Sequence, residues 1–323
     1  MSDQTPAPSE LRAQLQKDAG KKRKVLLGII AALAIGAIAI VAGIFIGNSN
    51  KGGTEAGGER IKARIAVAED REWYDVAKTV AAEKGLDIDW VATDDWILPN
   101  TELVAGSVDA NAFQHILYLS AFNAKEKATL TPVFSTHILQ WGIFSDKVKS
   151  LDELKDGATL LIPDDLSNGA RALYILEAAG LIEIDDNAGL FPTVENISKN
   201  PKNIVIKEVK ALSISQLFSD PTIDGAVVGL SYFDPAQKVT AQSALYLDDP
   251  KAESNLPYVN VIAVNSDNVN NKAWSILKDV YADQRVKDAI TKEFGDNLIA
   301  VEIAPEELRA KLAELEKLAA AKK

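Results

Sequence analysis

No cysteine occurs among the 323 residues, and the chain has only two histidines and one methionine. Without thiols there can be no disulfide, no thiolate nucleophile, no cysteine-ligated zinc and no cysteine-borne lipid anchor. Two histidines argue against a transition-metal site. A GxSxG elbow, a Walker A loop and a GxGxxG turn are also missing, so nothing points to an enzyme or to a bound cofactor. Two adjacent-carboxylate pairs, Asp94-Asp95 and Asp164-Asp165, each follow a strand-like run. They read as turn and cap residues, with a divalent cation as the alternative.

Past the N-terminal segments, acidic residues outnumber basic ones. Residues 1–24 hold six Lys/Arg against three Asp/Glu, residues 25–46 hold no charge, and the remainder holds 29 against 43. An acidic main domain lacks the basic surface that nucleic-acid binding needs. Residues 1–24 form a polar tail ending in Lys21-Lys22-Arg23-Lys24, and residues 25–46 are an uninterrupted apolar run. About 20 such residues span a bilayer core, and the flanking basic cluster puts the N-terminus in the cytoplasm and the main domain outside. The alternative is a cleaved signal peptide, whose apolar stretch is usually shorter; the expectation is an uncleaved, single-pass signal-anchor. Residues 47–58, with five glycines among twelve residues, read as a flexible linker.

From Ile61 onward, strand-like and helix-like runs alternate. Ile61–Ala68, a helix over Glu72–Lys84 closed by Gly85, and Leu86–Val91 make a parallel β-α-β unit. Ser150 and Glu153 match a capping box, Leu190–Asn200 reads as a helix, and Lys272–Phe294 reads as one long helix. Glu306–Lys323 carries leucines at helical spacing.

The densest chemistry lies in Asp109-Ala110-Asn111-Ala112-Phe113-Gln114-His115-Ile116-Leu117-Tyr118, at a strand-to-helix junction. Rings and amides in a concave corner suit a small-molecule site; equally, Asn111 and Gln114 could simply satisfy buried backbone groups. Arg171 falls in a first helical turn three residues after Asn168, which makes a carboxylate receptor or an ion pair with a nearby Asp.

Together these residues resemble the NlpA-type family, the methionine-binding components of ABC importers. The landmarks are Trp96 with Pro99-Asn100, the Asp109–His115 motif with Tyr118, Lys149–Leu154, Pro163 with Asp165, Asn168 and Arg171, Gly180-Leu181-Ile182, Asn200–Asn203 and Pro257–Asn260. The resemblance covers about Ile61 to Phe294. It implies an α/β, two-lobed type II periplasmic-binding-protein-like fold, with lobe 1 over 59–140 plus 240–300 and lobe 2 over 141–239; the leucine spacing adds a C-terminal helical tail over 301–323. It also implies capture of an amino acid between the lobes for an ABC permease and its ATPase. By the same resemblance, Trp96, Phe113 and His115 line the side-chain pocket, and Arg171, with Asn168 nearby, grips the ligand carboxylate. Asn260 meets the zwitterionic end, and His137 and Ser231 complete the ligand-binding set. No metal or cofactor is implied.

Four departures stand out. Gly229 occupies a position where the family usually has Asn. His137, Leu139 and Gln140 replace a Phe and a Tyr-Pro. Trp96 replaces Tyr, and the leucine-rich tail from Pro305 lies beyond the family pattern. The expected anchor also differs from the lipidated cysteine of most members. These differences open an alternative, a membrane-anchored receptor or scaffold with altered or lost ligand specificity that docks a partner through its C-terminal helix.

Overall fold

The computed structural model describes residues 60–321, apart from 251 and 296–297. The expected tail, transmembrane segment and linker lie outside the described residues. Among the described residues, no helix is long and apolar enough to cross a membrane.

The chain begins with β1 (Ile61–Val67), α1 (Trp73–Glu83) and β2 (Leu86–Ala92). β1 and β2 pair in parallel, with Ile65 opposite Trp90. Leu86 and Ile88 face inward while Asp87 and Asp89 face out, as the alternation requires. α1 buries Trp73, Tyr74, Ala77, Val80 and Ala81 along one stripe. Next come α2 (Leu98–Val104), β3 (Ala110–His115), α3 (Ile116–Glu126), β4 (Leu130–Ser135), β5 (His137–Leu139), β6 (Trp141–Phe144), β7 (Thr159–Pro163) and α4 (Leu166–Ala178). Then follow β8 (Glu183–Ile184), β9 (Ile197–Lys199), β10 (Val205–Val209), α5 (Ile214–Leu217), β11 (Gly225–Gly229), β12 (Ala244–Leu247) and β13 (Asn260–Asn265). The described chain ends with α6 (Lys272–Ala282), α7 (Gln284–Phe294), β14 (Leu298–Ala300) and α8 (Pro305–Ala321).

Two five-stranded sheets result, ordered β2-β1-β3-β13-β4 and β10-β7-β11-β6-β12. Each carries its own apolar clusters, so each is the centre of one lobe. The chain passes between the sheets at Leu139–Trp141 and again between Leu247 and Asn260. Ala244–Leu247, grouped with lobe 1 on sequence, pairs with β6 in the second sheet.

Several elements differ from their sequence pattern. Lys272–Phe294 is two helices: Asp283 is extended at ψ 134° and its carboxylate accepts the Arg285 N–H, so it starts a new helix instead of continuing the old one. Leu190–Asn200 holds only a 3-10 turn followed by β9; Pro192 lies inside the segment. The Ser150 side chain caps nothing, and Glu153 accepts the Lys149 N–H at 2.8 Å over a single 3-10 turn.

The C-terminal segment belongs to lobe 1. β14 pairs with β5, setting Ala300 opposite His137. α8 buries Leu308, Leu312 and Leu315 in the same cluster as Leu117 and Leu119 of α3. The Asn123 amide donates to Glu316 at 2.7 Å. The leucine face expected to dock a partner is therefore covered by the chain itself.

Candidate functional site

The Asp109–Tyr118 stretch does two separate jobs. The Asn111 amide donates to Asn100 Oδ1 at 2.8 Å, and Gln114 Nε2 donates to Asn100 Oδ1 at 2.6 Å and to Asn111 Oδ1 at 2.9 Å. Asn100 Nδ2 returns a bond to Gln114 Oε1 at 2.8 Å. These three amides are buried and saturate one another, locking α2 onto β3. They form structure, and the neighbouring Phe113 and His115 face the space beyond the strand end.

His115 ends β3 and caps α3. Its Nδ1 accepts the Tyr118 N–H at 3.1 Å, so the proton sits on Nε2, which donates to Asn168 Oδ1 at 3.0 Å. Asn168 belongs to α4 of the other lobe. Its Nδ2 donates to Asp165 Oδ2 at 2.9 Å, which fixes which amide atom faces His115. Asp165 Oδ1 in turn accepts the Ser167 and Asn168 N–H groups as the cap of α4. Burial drives the His115 imidazole down to about 3, with the Asn168 bond opposing; the ring is neutral. Burial likewise lowers His137 to about 4. Asp95 plays the matching part in lobe 1, accepting the Ile97 and Leu98 N–H groups ahead of α2.

Arg171 is only 2% exposed. Its Nη2 donates to Leu139 O and to Asp248 Oδ2, both at 2.9 Å. Those partners lie at the two passages between the sheets. The same passages are joined by Trp141 N–H to Asp248 Oδ1 at 2.8 Å and by Asp248 N–H to Trp141 O at 2.9 Å. The guanidinium lies over the rings of Trp141 and Tyr258, 4.7 and 4.4 Å from their centroids. Desolvation weakens its hold on the proton and Asp248 strengthens it. Arg171 Nε is buried without a hydrogen-bond partner.

A cleft of about 780 Å³ opens between these groups. Trp96, Phe113, His115, His137, Asn168, Arg171, Ser231 and Asn260 all line it. Trp96 meets Tyr232 of the other lobe edge-on, with centroids 5.2 Å apart. Tyr118 Oη donates to Trp96 O at 2.8 Å, setting the position of that loop. Sequence reasoning missed Trp141 and Tyr232 on the cleft wall, and Tyr258 and Asp248 against Arg171. The signal for Asp248 was present: Asp248-Asp249 follows a strand just as Asp94-Asp95 and Asp164-Asp165 do.

The NlpA lipoprotein family profile matches residues 61–301. The chain belongs to this family. Among NlpA relatives, the D-methionine-binding lipoprotein MetQ of Escherichia coli K12 is 34% identical over 240 residues, covering 74% of this chain and 87% of that protein. Lipoprotein 28 of the same organism is 31% identical over 239 residues, covering 74% and 86%. A crystal structure of the methionine-binding protein MetQ superposes with a TM-score of 0.69 at 32% identity, covering 75% of this chain and 99% of that one. A nutrient-binding protein from Burkholderia cenocepacia bound to methionine gives 0.68 at 33% identity, covering 74% and 99%. The two-lobed periplasmic-binding-protein-like fold is thus that of NlpA relatives, and α8 lies past the end of the family match.

Proposed function

We propose that this chain is the substrate-binding component of an ABC importer, and that it closes two lobes on methionine or a related small amino acid or peptide and passes it to a membrane permease. It binds and does not catalyse; the work of transport belongs to the partner ATPase. One observation carries the reading: eight residues named from a family resemblance, spread from position 96 to position 260, line a single interlobe cleft. The names of the relatives, methionine-binding in sequence and in structure, support it. Aromatic walls suit a thioether or aliphatic side chain, and the Arg171 guanidinium suits a carboxylate.

The apolar run at residues 25–46 would serve as the membrane tether, with the binding domain on the extracytoplasmic side. A tether keeps the binder close to its permease and raises its effective concentration there. The test of binding is calorimetric titration of the purified full chain, stripped of co-purifying ligand, with methionine and other small amino acids. Saturable binding is expected; no heat with any of them would remove the import reading. Protease added to intact and to permeabilised cells tests the tether, since residues beyond 58 should be cut in both.

A further inference from the structure

Position 229, where the family resemblance implies Asn, is a glycine covered by an indole. Gly229 and Trp141 are cross-strand partners in the second sheet. A Cβ on Gly229 would stand 2.9 Å from Trp141 Nε1 and 3.1 Å from Trp141 Cδ1. Residue 229 has no side chain because Trp141 lies over it. Trp141 is 2% exposed and lines the cleft, and its indole N–H has no partner among the described residues. The Arg171 guanidinium stacks on that ring, and its Nε is also unspent. Two donors that spend nothing on protein acceptors, the Trp141 indole N–H on the cleft wall and the buried Arg171 Nε, thus lie close together.

Acceptors of negative charge are scarce in the same cleft. Glu69 and Glu302 are the carboxylates among its lining residues, and they are paired with Arg71 and Lys278. Asp248 is held by Arg171 and by the Trp141 backbone N–H. A ligand carboxylate therefore finds donors, whereas a ligand ammonium finds no free anion. An Asn at 229 could have accepted from an ammonium; an indole can only donate. The cleft, about 780 Å³ over its whole lining, is also larger than a free amino acid fills.

Resting on the proposed binding role, we infer that Trp141 and Arg171 form a two-donor receptor for the ligand carboxylate, and that the cleft takes carboxylic acids without a free α-ammonium, N-acylated or 2-hydroxy acids, as well as free amino acids. Gly229 and Trp141 together set this specificity.

The probes are methionine, N-acetylmethionine, 2-hydroxy-4-(methylthio)butanoate and methioninamide, titrated into the ligand-stripped full chain. The first three should bind within about fivefold of one another, and the amide at least about thirtyfold more weakly, since it keeps the ammonium and loses the carboxylate. Methionine binding with the N-acetyl and hydroxy acids more than about thirtyfold weaker would overturn this inference while leaving the binding role intact. Failure of all four to bind would overturn this inference, and the wider amino-acid titration then decides the binding role. Trp141→Phe keeps a ring over Gly229 and removes the N–H; it should weaken each carboxylate about five- to tenfold, and an unchanged Kd would take the indole out of the receptor. The probe series on the unaltered protein decides the matter even if this variant fails to fold.

Discussion

His115 Nε2 and Asn168 Oδ1 lie 3.0 Å apart, one on each lobe of the molecule. Each is oriented from behind, His115 by the Tyr118 N–H and Asn168 by Asp165. The contact therefore acts as a latch between lobes and not as a chance approach of two side chains. Asn168→Ala leaves a buried imidazole N–H unpaired, a penalty of about 1–3 kcal/mol in the closed arrangement only. Small-angle scattering of the variant should show a larger radius of gyration, and its ligand affinity should fall by about tenfold, because part of the binding energy then goes to closure. A scattering curve identical to that of the unaltered protein would mean the lobes are held by other contacts.

Acid should open or unfold this molecule through its histidines. Burial holds His115 at about 3 and His137 at about 4, both below the ordinary value of 6.5. The unfolded chain therefore takes up protons first as pH falls. Stability is intact above about pH 6.5 and is lost progressively toward pH 4 and below. His115→Asn keeps an acceptor at the start of α3 and removes the titration. Between pH 7 and pH 4.5 its unfolding free energy should drop by on the order of 2 kcal/mol less than that of the unaltered protein, as read from guanidinium midpoints at the two pH values.

Asp248 compensates a charge that is otherwise sealed from water. Its side chain is 9% exposed and that of Arg171 is 2%. Asp248→Asn keeps an acceptor for the Trp141 backbone N–H and deletes the negative charge. The expected cost is about 3–5 kcal/mol, measured by urea unfolding, because an uncompensated buried guanidinium remains. Removing both partners with Arg171→Met and Asp248→Leu should cost less than the sum of the single changes.

The sequence made the order of strands and helices readable because each lobe is built from β-α units with clear alternation. Leu86-Asp87-Ile88-Asp89 could hardly be anything but a half-buried strand. The cleft residues were legible for a different reason: the Asp109–His115 motif and the Asn168–Arg171 spacing matched a family pattern, and both fall at strand-to-helix corners. What stayed hidden depended on distance along the chain. Arg171 and Asp248 are 77 residues apart, and no local pattern tells which of many carboxylates will meet a given arginine. The saturated Asn100, Asn111 and Gln114 cluster was equally ambiguous, since the same amides could have faced a ligand. The break at Asp283 was obscured because the apolar spacing continues through it, although Asp is a good first cap and a poor interior residue.

The C-terminal helix shows how a leucine stripe misleads when read alone. Four leucines at helical spacing with no family counterpart suggested a surface for a partner, yet Leu308, Leu312 and Leu315 close lobe 1 against α3 and β4. Burial of each is worth roughly 1.5–3 kcal/mol, and the Asn123–Glu316 bond adds to it. Leu312→Ala should therefore destabilise the protein by about 2–5 kcal/mol, while Leu318→Ala, at a position 41% exposed, should stay within about 0.5 kcal/mol. Deleting residues 305–323 should lower the melting temperature and raise binding of a hydrophobic dye, since the α3 face beneath becomes exposed. A docking helix gives the opposite result: a truncated protein that melts where the intact one does and loses only its association with a partner.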